Sequence, residues 1–330
     1  MNRLIKGDNI NGLQWLLDNG YEKKIDLIYI DPPFATGVDF AIGEDRVSTI
    51  SSSKSDKIAY TDSLKGAEFI DWLKERIILL ERLLSDDGSF YLHIDYKVGH
   101  YVKVMLDSVL GIKNFRHDIT RIKCSPKNFS RRDWGNVKDM ILFYSRGDYT
   151  WNEVPEPYTE EDLKKLFKKK DTNGYYTTVP LHAPGEGKGG KTMEEFKGQK
   201  PPKGRHWRVG VDILEQWDFQ GLIEWSKTGN PRKKVYANDR VKKGKKRQDI
   251  WNFKDPMYPK YPTEKNHEML EVIVKASSNE GDIVLDCFAG SGSTLLIADR
   301  LGRRYIGIDQ SDSSIKVIND RLDNFEFLEL

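Results

Sequence analysis

The sequence predicts an α/β protein with an open, doubly wound sheet and an irregular segment inserted near its middle. Three observations favour this class. Short apolar runs alternate with helical apolar spacing at both ends of the 330-residue chain, several of these runs end in an acidic residue, and the alternation disappears between about 151 and 260. We therefore expect two α/β halves, over 1–150 and 261–330, with a separate region over 151–260 between them.

The first half begins its sheet with the apolar run "IDLIYID", which is typical of a buried parallel strand. The stretch "GAEFIDWLKERIILLERLLSDDGS" has apolar residues at helical spacing and ends in Asp-Gly, which favours a helix that stops there. The stretches that follow predict a strand, a helix and a strand: "SFYLHID", "YVKVMLDSVLG" and "DMILFYSR".

The second half repeats this alternation. A helix is predicted for "EKNHEMLEVIVKASS", a strand and loop for "DIVLDCFAG", a helix for "STLLIADRLG" and a strand for "RRYIGID". Ligands of open α/β sheets bind outside the carboxyl ends of the strands. We therefore expect the residues that follow "IDLIYI", "DIVLD" and "RRYIGID" to face one crevice.

Charge is distributed unevenly along the chain. Residues 151–260 contain 24 Lys and Arg against 16 Asp and Glu, a net charge of +8 within a chain whose total is +2. Lysine runs over 164–170 and 232–247 can neutralise phosphates, although each run alone is more typical of solvated surface. Interleaved aromatic residues and glycines favour nucleic-acid contact. The candidate contacts in this region are Lys233, Lys234, Lys242 and Lys243.

Other classes of protein are disfavoured. The sequence has two cysteines and six scattered histidines, so we expect neither a disulfide framework nor a metal centre. No apolar stretch is long enough to span a bilayer, and the first residues do not resemble a secretory segment. We therefore expect a cytoplasmic protein with no membrane partner.

A glycine-rich loop follows the strand in "DIVLDCFAGSGST". Gly290 and Gly292 allow the backbone to approach a ligand closely and to present amide groups at the next helix. A dinucleotide fingerprint requires a third glycine where this chain has Leu295. Asp309, one strand later, is suitably placed for the two hydroxyls of a ribose. These residues favour a cofactor that contains adenosine without a pyrophosphate.

Taken together, "DPPF", "VLDCFAGSGST" and "RRYIGID" resemble the S-adenosylmethionine-dependent DNA amino-methyltransferases. Because the catalytic motif precedes the cofactor loop, the resemblance is to the permuted group called beta. It implies a Rossmann-like methyltransferase sheet with circularly permuted motif order, S-adenosyl-L-methionine as cofactor, double-stranded DNA as substrate and a target-recognition region over 151–260. It also implies a gene of bacterial, archaeal or phage origin, and it allows a homodimer and a cognate restriction endonuclease as partners.

The resemblance also implies roles for particular residues. The segment "LIKGDNINGL" places Asp8 near the cofactor's adenine, and "TEKN" at 263–266 corresponds to a family form closer to Thr-Gln-Lys-Pro. In that segment Thr263 and Lys265 match, whereas Glu264 and Asn266 depart. The cofactor-binding candidates are Asp8, Asn9, Asp31, Thr263, Lys265, Asp286, Cys287, Phe288, Ala289, Gly290, Ser291, Gly292, Ser293, Thr294, Asp309 and Gln310.

The quartet Asp31-Pro32-Pro33-Phe34 suits methylation of an exocyclic amine, whose lone pair is delocalised into the base. Asp31 and a carbonyl of the proline pair can accept hydrogen bonds from the two amino N–H groups, and this directs the nitrogen lone pair towards the methyl donor. The prolines fix the backbone and donate no competing N–H. Phe34 can stack on a base flipped out of the duplex. This form of the motif resembles the adenine-specific enzymes and predicts transfer to N6.

Three further residues are weaker candidates for DNA contact: His93, Arg131 and Arg132. His93 lies near the end of the predicted strand "SFYLHID" and is as compatible with core packing as with the base pocket. The two arginines lie in "NFSRRDWGN", which is also typical of an exposed loop.

Three alternative functions share some of these features. Cytosine-N4 methyltransferases use the same fold and mechanism but more often have Ser at the position of Asp31. RNA and protein methyltransferases with an NPPY-like motif usually have the reverse motif order. A catalytically inactive DNA-binding subunit could retain the fold, although intact Asp31, Gly290, Gly292 and Asp309 argue against it.

Overall fold

A computed structural model describes residues 1–33, 40–42, 47–48, 57–60, 67–126, 132, 134–185, 187, 189–257 and 264–330. The chain divides into two compact units, one formed by Met1–Val154 with Gln248–Leu330 and the other by Pro155–Arg247. Residues 248–257, which we expected in the middle region, belong to the first unit because Ile250–Trp251 pairs with its sheet.

Within the described residues, a sheet of nine strands forms the first unit. The strands in chain order are β1 (Asn2–Lys6), β2 (Ile25–Ile30), β3 (Leu84–Ile94), β4 (Phe115–Ile122), β5 (Lys138–Ser145), β6 (Ile250–Trp251), β7 (Ile283–Asp286), β8 (Arg304–Asp309) and β9 (Phe325–Glu329). Their spatial order is β6-β4-β5-β3-β2-β7-β8-β1-β9. β5 pairs antiparallel with both β3 and β4, and the other pairings are parallel.

Helices cover both faces of this sheet, so the predicted doubly wound α/β class is confirmed. One face carries α1 (Asn9–Asp18), α2 (Ala67–Leu83) and α3 (Tyr96–Leu106), the last continued by a π-helix (Asp107–Gly111) and a 3₁₀-helix (Ile112–Asn114). The other face carries α4 (His267–Ser277), α5 (Ser293–Arg300) and α6 (Asp312–Asn319).

Side-chain alternation along β2 explains why this strand is central. Ile28 and Ile30 pack in the core under α1, α2 and α3, whereas Leu27 and Tyr29 pack in the core on the opposite face. A strand buried on both faces needs apolar residues at nearly every position. The central strand is therefore readable from sequence, whereas we did not predict the outer strands β1, β4 and β9.

The unit Pro155–Arg247 is more regular than its composition predicts. Its helices are Glu160–Leu166, Val211–Phe219 and Ala237–Lys243. Strands Lys169–Asp171, Gly174–Pro180, Ile223–Trp225 and Pro231–Tyr236 form an antiparallel sheet, and His182–Pro184 pairs with Arg205–Trp207. A small core contains Leu181, Phe196, Trp207, Val211 and Leu214. Burying these five side chains gives the unit an apolar centre of its own.

Three short strands lie between β2 and α2: Phe40–Ile42, Val47–Ser48 and Lys57–Tyr60 pair antiparallel. Among the described helices of the chain, none is both long and apolar enough to cross a membrane.

Candidate active site

Within the described residues, five aspartates lie at or just after the ends of parallel strands. Asp8 follows β1, Asp31 follows β2 and Asp95 follows β3, while Asp286 and Asp309 are the last residues of β7 and β8. Because the carboxyl ends of parallel strands meet at one edge of a sheet, the topology gathers these groups at the position where open α/β sheets bind ligands.

The two carboxylate oxygens of Asp31 have different environments. Lys265 Nζ lies 2.8 Å from Oδ2, and both side chains are largely buried. Oδ1 is buried and has no hydrogen-bond partner among the described residues, with Nδ1 of His93 at 3.9 Å. A buried acceptor without a donor is unfavourable, so Oδ1 is suited to accept a hydrogen bond from a ligand. Phe34 and the other residues of 34–39 lie outside the described residues.

The structure places His93 behind Asp31, in the core, and not on a surface that DNA could reach. Its side chain is fully buried, with Nδ1 3.0 Å from the Tyr29 hydroxyl and Nε2 3.2 Å from Asp139 Oδ2. Burial, followed by the charge of Lys265, lowers the pKa of His93. The full burial of His93 agrees with the core-packing alternative.

Asp139 is a buried carboxylate that sequence reasoning missed. Burial alone would raise its pKa, but hydrogen bonds from His93 and Lys123 outweigh burial and hold that pKa well below the usual range. Lys123 Nζ lies 2.6 Å from Asp139 Oδ1, and Arg121 Nη1 lies 3.6 Å from Oδ2. Asp139 is therefore ionised. It was missed because its partners lie 16 and 46 residues away in sequence and meet it only through the pairing of strands.

The glycine loop is held in place through Asp309. The backbone N–H of Gly290 donates to Oδ2 at 2.8 Å, and that of Ser311 donates to Oδ1 at 2.9 Å. Gly292 has φ of 70°, and a Cβ at this residue would lie 2.7 Å from Ile318 Cγ1. Both the backbone angle and the available space therefore require glycine at 292.

Two carboxyl groups beside this loop have raised pKa values. Burial raises the pKa of Asp286 to about 7, although hydrogen bonds from the Thr294 hydroxyl and from the Phe288 N–H, at 3.0 Å, oppose the shift. Burial also raises the pKa of Asp309, against the backbone N–H donors of Ser311 and Gly290. Perturbed carboxyl groups in a cleft are typical of ligand sites.

The remaining loop residues complete a largely buried turn. Cys287, Ala289, Ser291, Ser293 and Thr294 are buried, whereas Phe288 is half-buried. Ser291 Oγ lies 2.8 Å from Ser293 Oγ. Gln310, directly after β8, is exposed.

A second missed residue, Arg76 of α2, connects the first predicted segment to the loop. Its Nε donates to Asn9 Oδ1 at 2.6 Å, and its Nη2 lies 3.5 Å from Asp8 Oδ2. Asn9 Nδ2 in turn donates to the carbonyl of Cys287 at 3.3 Å. The guanidinium lies 3.9 Å from the Trp72 ring centre. Its sequence signal was a charged residue at an apolar position of an amphipathic helix.

Glu264 and Asn266, the two residues before α4 that depart from the family form, both have hydrogen-bonding partners in the structure. Glu264 Oε1 is buried 2.8 Å from Arg321 Nη2. Asn266 is the N-cap of α4, where its side chain accepts the Met269 N–H at 3.0 Å. Thr263 lies outside the described residues.

The candidate DNA contacts fall into two groups. Lys234 is paired with Asp171 at 2.9 Å and Lys233 lies 3.3 Å from the Trp217 ring centre, so both have internal partners. Three others are exposed, namely Lys242, Lys243 and Arg132. Arg131 lies outside the described residues. Among the lysines, the exposed pair is better placed to meet a polyanion.

Comparison with known proteins identifies the family. The family model for N6/N4 methyltransferases, described as DNA methylase, matches residues 25–320. The chain is 42% identical over 327 residues to the Type II methyltransferase M.EcaI of Enterobacter cloacae, covering 97% of this chain and 69% of that protein.

More distant relatives are similar over nearly the whole chain. Identity to the Mod subunit of the Type III restriction-modification enzyme StyLTI of Salmonella typhimurium is 26%, covering 89% of this chain and 49% of that subunit. The M1.HpyAVI–SAM complex has a TM-score of 0.50 at 16% identity and covers 98% of this chain and 100% of that one, which supports the fold. The predicted resemblance is therefore confirmed, and the chain belongs to the N6/N4 DNA methylase family.

Proposed function

We propose that this chain transfers a methyl group from S-adenosylmethionine to the N6 amino group of an adenine flipped out of duplex DNA. The observation that carries the proposal is the carboxylate of Asp31, which has one oxygen held by Lys265 and the other, Oδ1, buried without a donor. An amino group of a base is a donor of the kind that Oδ1 lacks.

The residues at the glycine loop fit this cofactor. S-adenosylmethionine carries an ammonium group, a sulfonium and two ribose hydroxyls, all of which suit carboxylate partners. Asp309 would take the ribose hydroxyls and Asp286 the ammonium end; Asp286 is buried, Asp309 is half-buried, and desolvation raises the pKa of each carboxyl. The half-buried pair Trp72 and Phe288, with ring centres 5.7 Å apart, offers an apolar surface to the adenine. When bound, the cofactor supplies an electrophilic methyl group.

The protein's own part in the reaction is to activate and orient the amine. Oδ1 of Asp31 and a carbonyl of Pro32-Pro33 would accept hydrogen bonds from the two amino N–H groups, so the nitrogen becomes pyramidal and its lone pair is no longer conjugated with the ring. Asp31 then accepts the proton that the methylated nitrogen releases. Most of the acceleration would come from positioning, because the displacement itself is direct.

Adenine is favoured over cytosine by the Asp31 form of the motif, and cytosine-N4 transfer is the second candidate. The test is nucleoside mass spectrometry of DNA incubated with the chain and cofactor labelled in its methyl group. We expect label in methyladenosine. Label confined to methylcytidine would show that the target base is cytosine and not adenine. If no label is incorporated and the cofactor does not bind, an inactive DNA-binding subunit would be favoured.

We further propose that the unit Pro155–Arg247 is the target-recognition region and that the chain serves restriction-modification or epigenetic marking. The +8 charge of 151–260 and the exposed Lys242 and Lys243 support DNA contact. Cytoplasmic location, a homodimer and a cognate endonuclease are further expectations. Sequencing of methylated DNA from an expressing host would report the recognised site and its strand symmetry, and sedimentation would report the oligomeric state.

A further inference from the structure

A buried polar network lies directly behind the candidate catalytic carboxylate. His93 has Asp139 on one ring nitrogen and both Tyr29 and Asp31 near the other. Burying charged groups in a core is unfavourable, and apolar side chains of similar volume are often at least as stabilising. The proposed transfer to Oδ1 of Asp31 does not by itself require a histidine at this position. Stability alone therefore does not account for the burial of these polar groups.

The tautomer of His93 follows from its partners. An ionised carboxylate only accepts hydrogen bonds, so Nε2 must carry the proton that is donated to Asp139 at 3.2 Å. Burial keeps the imidazole neutral. Nδ1 then has only a lone pair, which accepts the hydrogen bond of the Tyr29 hydroxyl at 3.0 Å.

The tautomer of His93 determines whether Nδ1 can donate a hydrogen bond to Asp31. Nδ1 lies 3.9 Å from Oδ1 of Asp31, beyond hydrogen-bond distance but within reach of a small side-chain movement. A proton on Nδ1 would make this nitrogen a donor that competes with the target amine for Oδ1. A lone pair on Nδ1 cannot be donated, so Oδ1 keeps its acceptor capacity.

We propose that Asp139 and His93 form a positioning pair that holds the proton on Nε2 and thereby reserves Oδ1 of Asp31 for the amino group of the target base. The inference rests on the proposed function. Lys123 Nζ contacts Oδ1 of Asp139, the oxygen that does not face His93, and Arg121 Nη1 lies 3.6 Å from Oδ2, while Lys265 occupies the other oxygen of Asp31. The two oxygens of Asp31 therefore have separate roles, set by two different elements of the fold.

Asp139→Asn is the first test. In this variant Lys123 donates to the amide oxygen of Asn, so the amide NH₂ group faces Nε2 of His93. Because NH₂ only donates, Nε2 must accept, and the ring proton of His93 moves to Nδ1. We expect kcat to fall roughly ten- to a hundredfold, with Kd for cofactor and for DNA little changed, because only the amine's acceptor is affected. Turnover at the wild-type kcat would refute the role of Asp139.

A matched pair of variants at His93 separates positioning from packing. In His93→Gln the amide NH₂ can reach Asp139 as Nε2–H does, and no donor occupies the position of Nδ1. In His93→Asn the amide nitrogen takes the position of Nδ1 and can donate to Asp31. We expect the Gln variant to recover most of the kcat that the Asn variant loses. Equal kcat values for two variants of equal thermal stability would overturn the proposal.

The tautomer can also be observed without any turnover. Nitrogen-15 NMR of the full chain with labelled histidine, assigned by loss of the signal in His93→Gln, distinguishes a protonated Nε2 from a protonated Nδ1. We expect a neutral ring with its proton on Nε2 at pH 7, and an altered tautomer in Asp139→Asn. A proton on Nδ1 in the wild-type chain would refute the inference even if DNA methylation were established. Failure to methylate DNA with the expected tautomer present would refute the proposed function instead.

Discussion

We expect Asp286 to link the stability of the protein to the proposed cofactor site, and replacing it by Asn tests this link. Its carboxyl is almost fully buried at the end of β7, and burial raises its pKa from 3.8 to about 7. A shift of this size corresponds to about 4 kcal/mol of preference for the protonated form in the folded chain. Because the folded-state pKa is the higher one, this stability is present below pH 4 and is lost as pH rises towards 7.

The expected result is a difference that depends on pH. Between pH 5 and pH 8 wild-type protein should lose about 2–3 kcal/mol of unfolding free energy relative to Asp286→Asn, whose amide does not titrate. Denaturant unfolding of both proteins at the two pH values measures this change. The comparison within each pH removes the contributions of the other titrating groups, which both proteins share. An unchanged difference would mean that Asp286 ionises normally and that burial does not govern its charge.

The same group predicts proton release when cofactor binds. At pH 7 about half of the Asp286 carboxyl groups are protonated, and an ammonium partner would favour the ionised form, so binding should release about half a proton. Calorimetric titration with S-adenosylmethionine in buffers of different ionisation enthalpy measures this number. Asp286→Asn is the matched control and should lose most of the release. Equal proton release by both proteins would show that Asp286 does not contact the cofactor.

Three further outcomes are expected. Asp31→Ala should abolish methylation while leaving cofactor Kd within a few-fold, as measured by turnover and calorimetry, and near-normal turnover would refute the proposed acceptor. Reversing Lys242 and Lys243 to Glu should lower the slope of log affinity against log salt by about one for each phosphate that is no longer neutralised, measured by DNA-binding titrations. Lys234→Met, which removes an internally paired lysine, is the control and should leave that slope nearly unchanged. A slope unaffected by the double reversal would assign those lysines to solvated surface.

The strand ends of the site could be predicted from sequence because their signals are local. The apolar run before Asp31 and the glycines before α5 each identify a strand and its carboxyl end within about ten residues. Parallel pairing then brings these ends to one edge. Asp309 was found in the same way, since it ends an apolar strand one helix after the loop.

The supporting residues could not be predicted in this way. Asp139 is the second residue of β5, the strand antiparallel to β3, so its contact with His93 depends on a pairing that no local pattern determines. Arg76 meets Asn9 only because α1 and α2 pack together on the same face of the sheet. The outer strand β4 has polar residues at several positions, including the wholly buried Arg121, and this composition hides its periodicity.

The two departures from the family form at 264–266 are consistent with an intact site. A carboxylate at Glu264 would be unfavourable if it were buried alone, but Arg321 and His267 lie 2.8 Å and 3.5 Å from its Oε1. Arg321 also donates to the carbonyl of Ser291 at 3.0 Å, so the ion pair fastens the segment before α4 to the glycine loop. Lys265, between the two departing residues, remains directed at Asp31. Both departing residues therefore have supporting contacts of their own, and Lys265, which meets the candidate catalytic carboxylate, is retained.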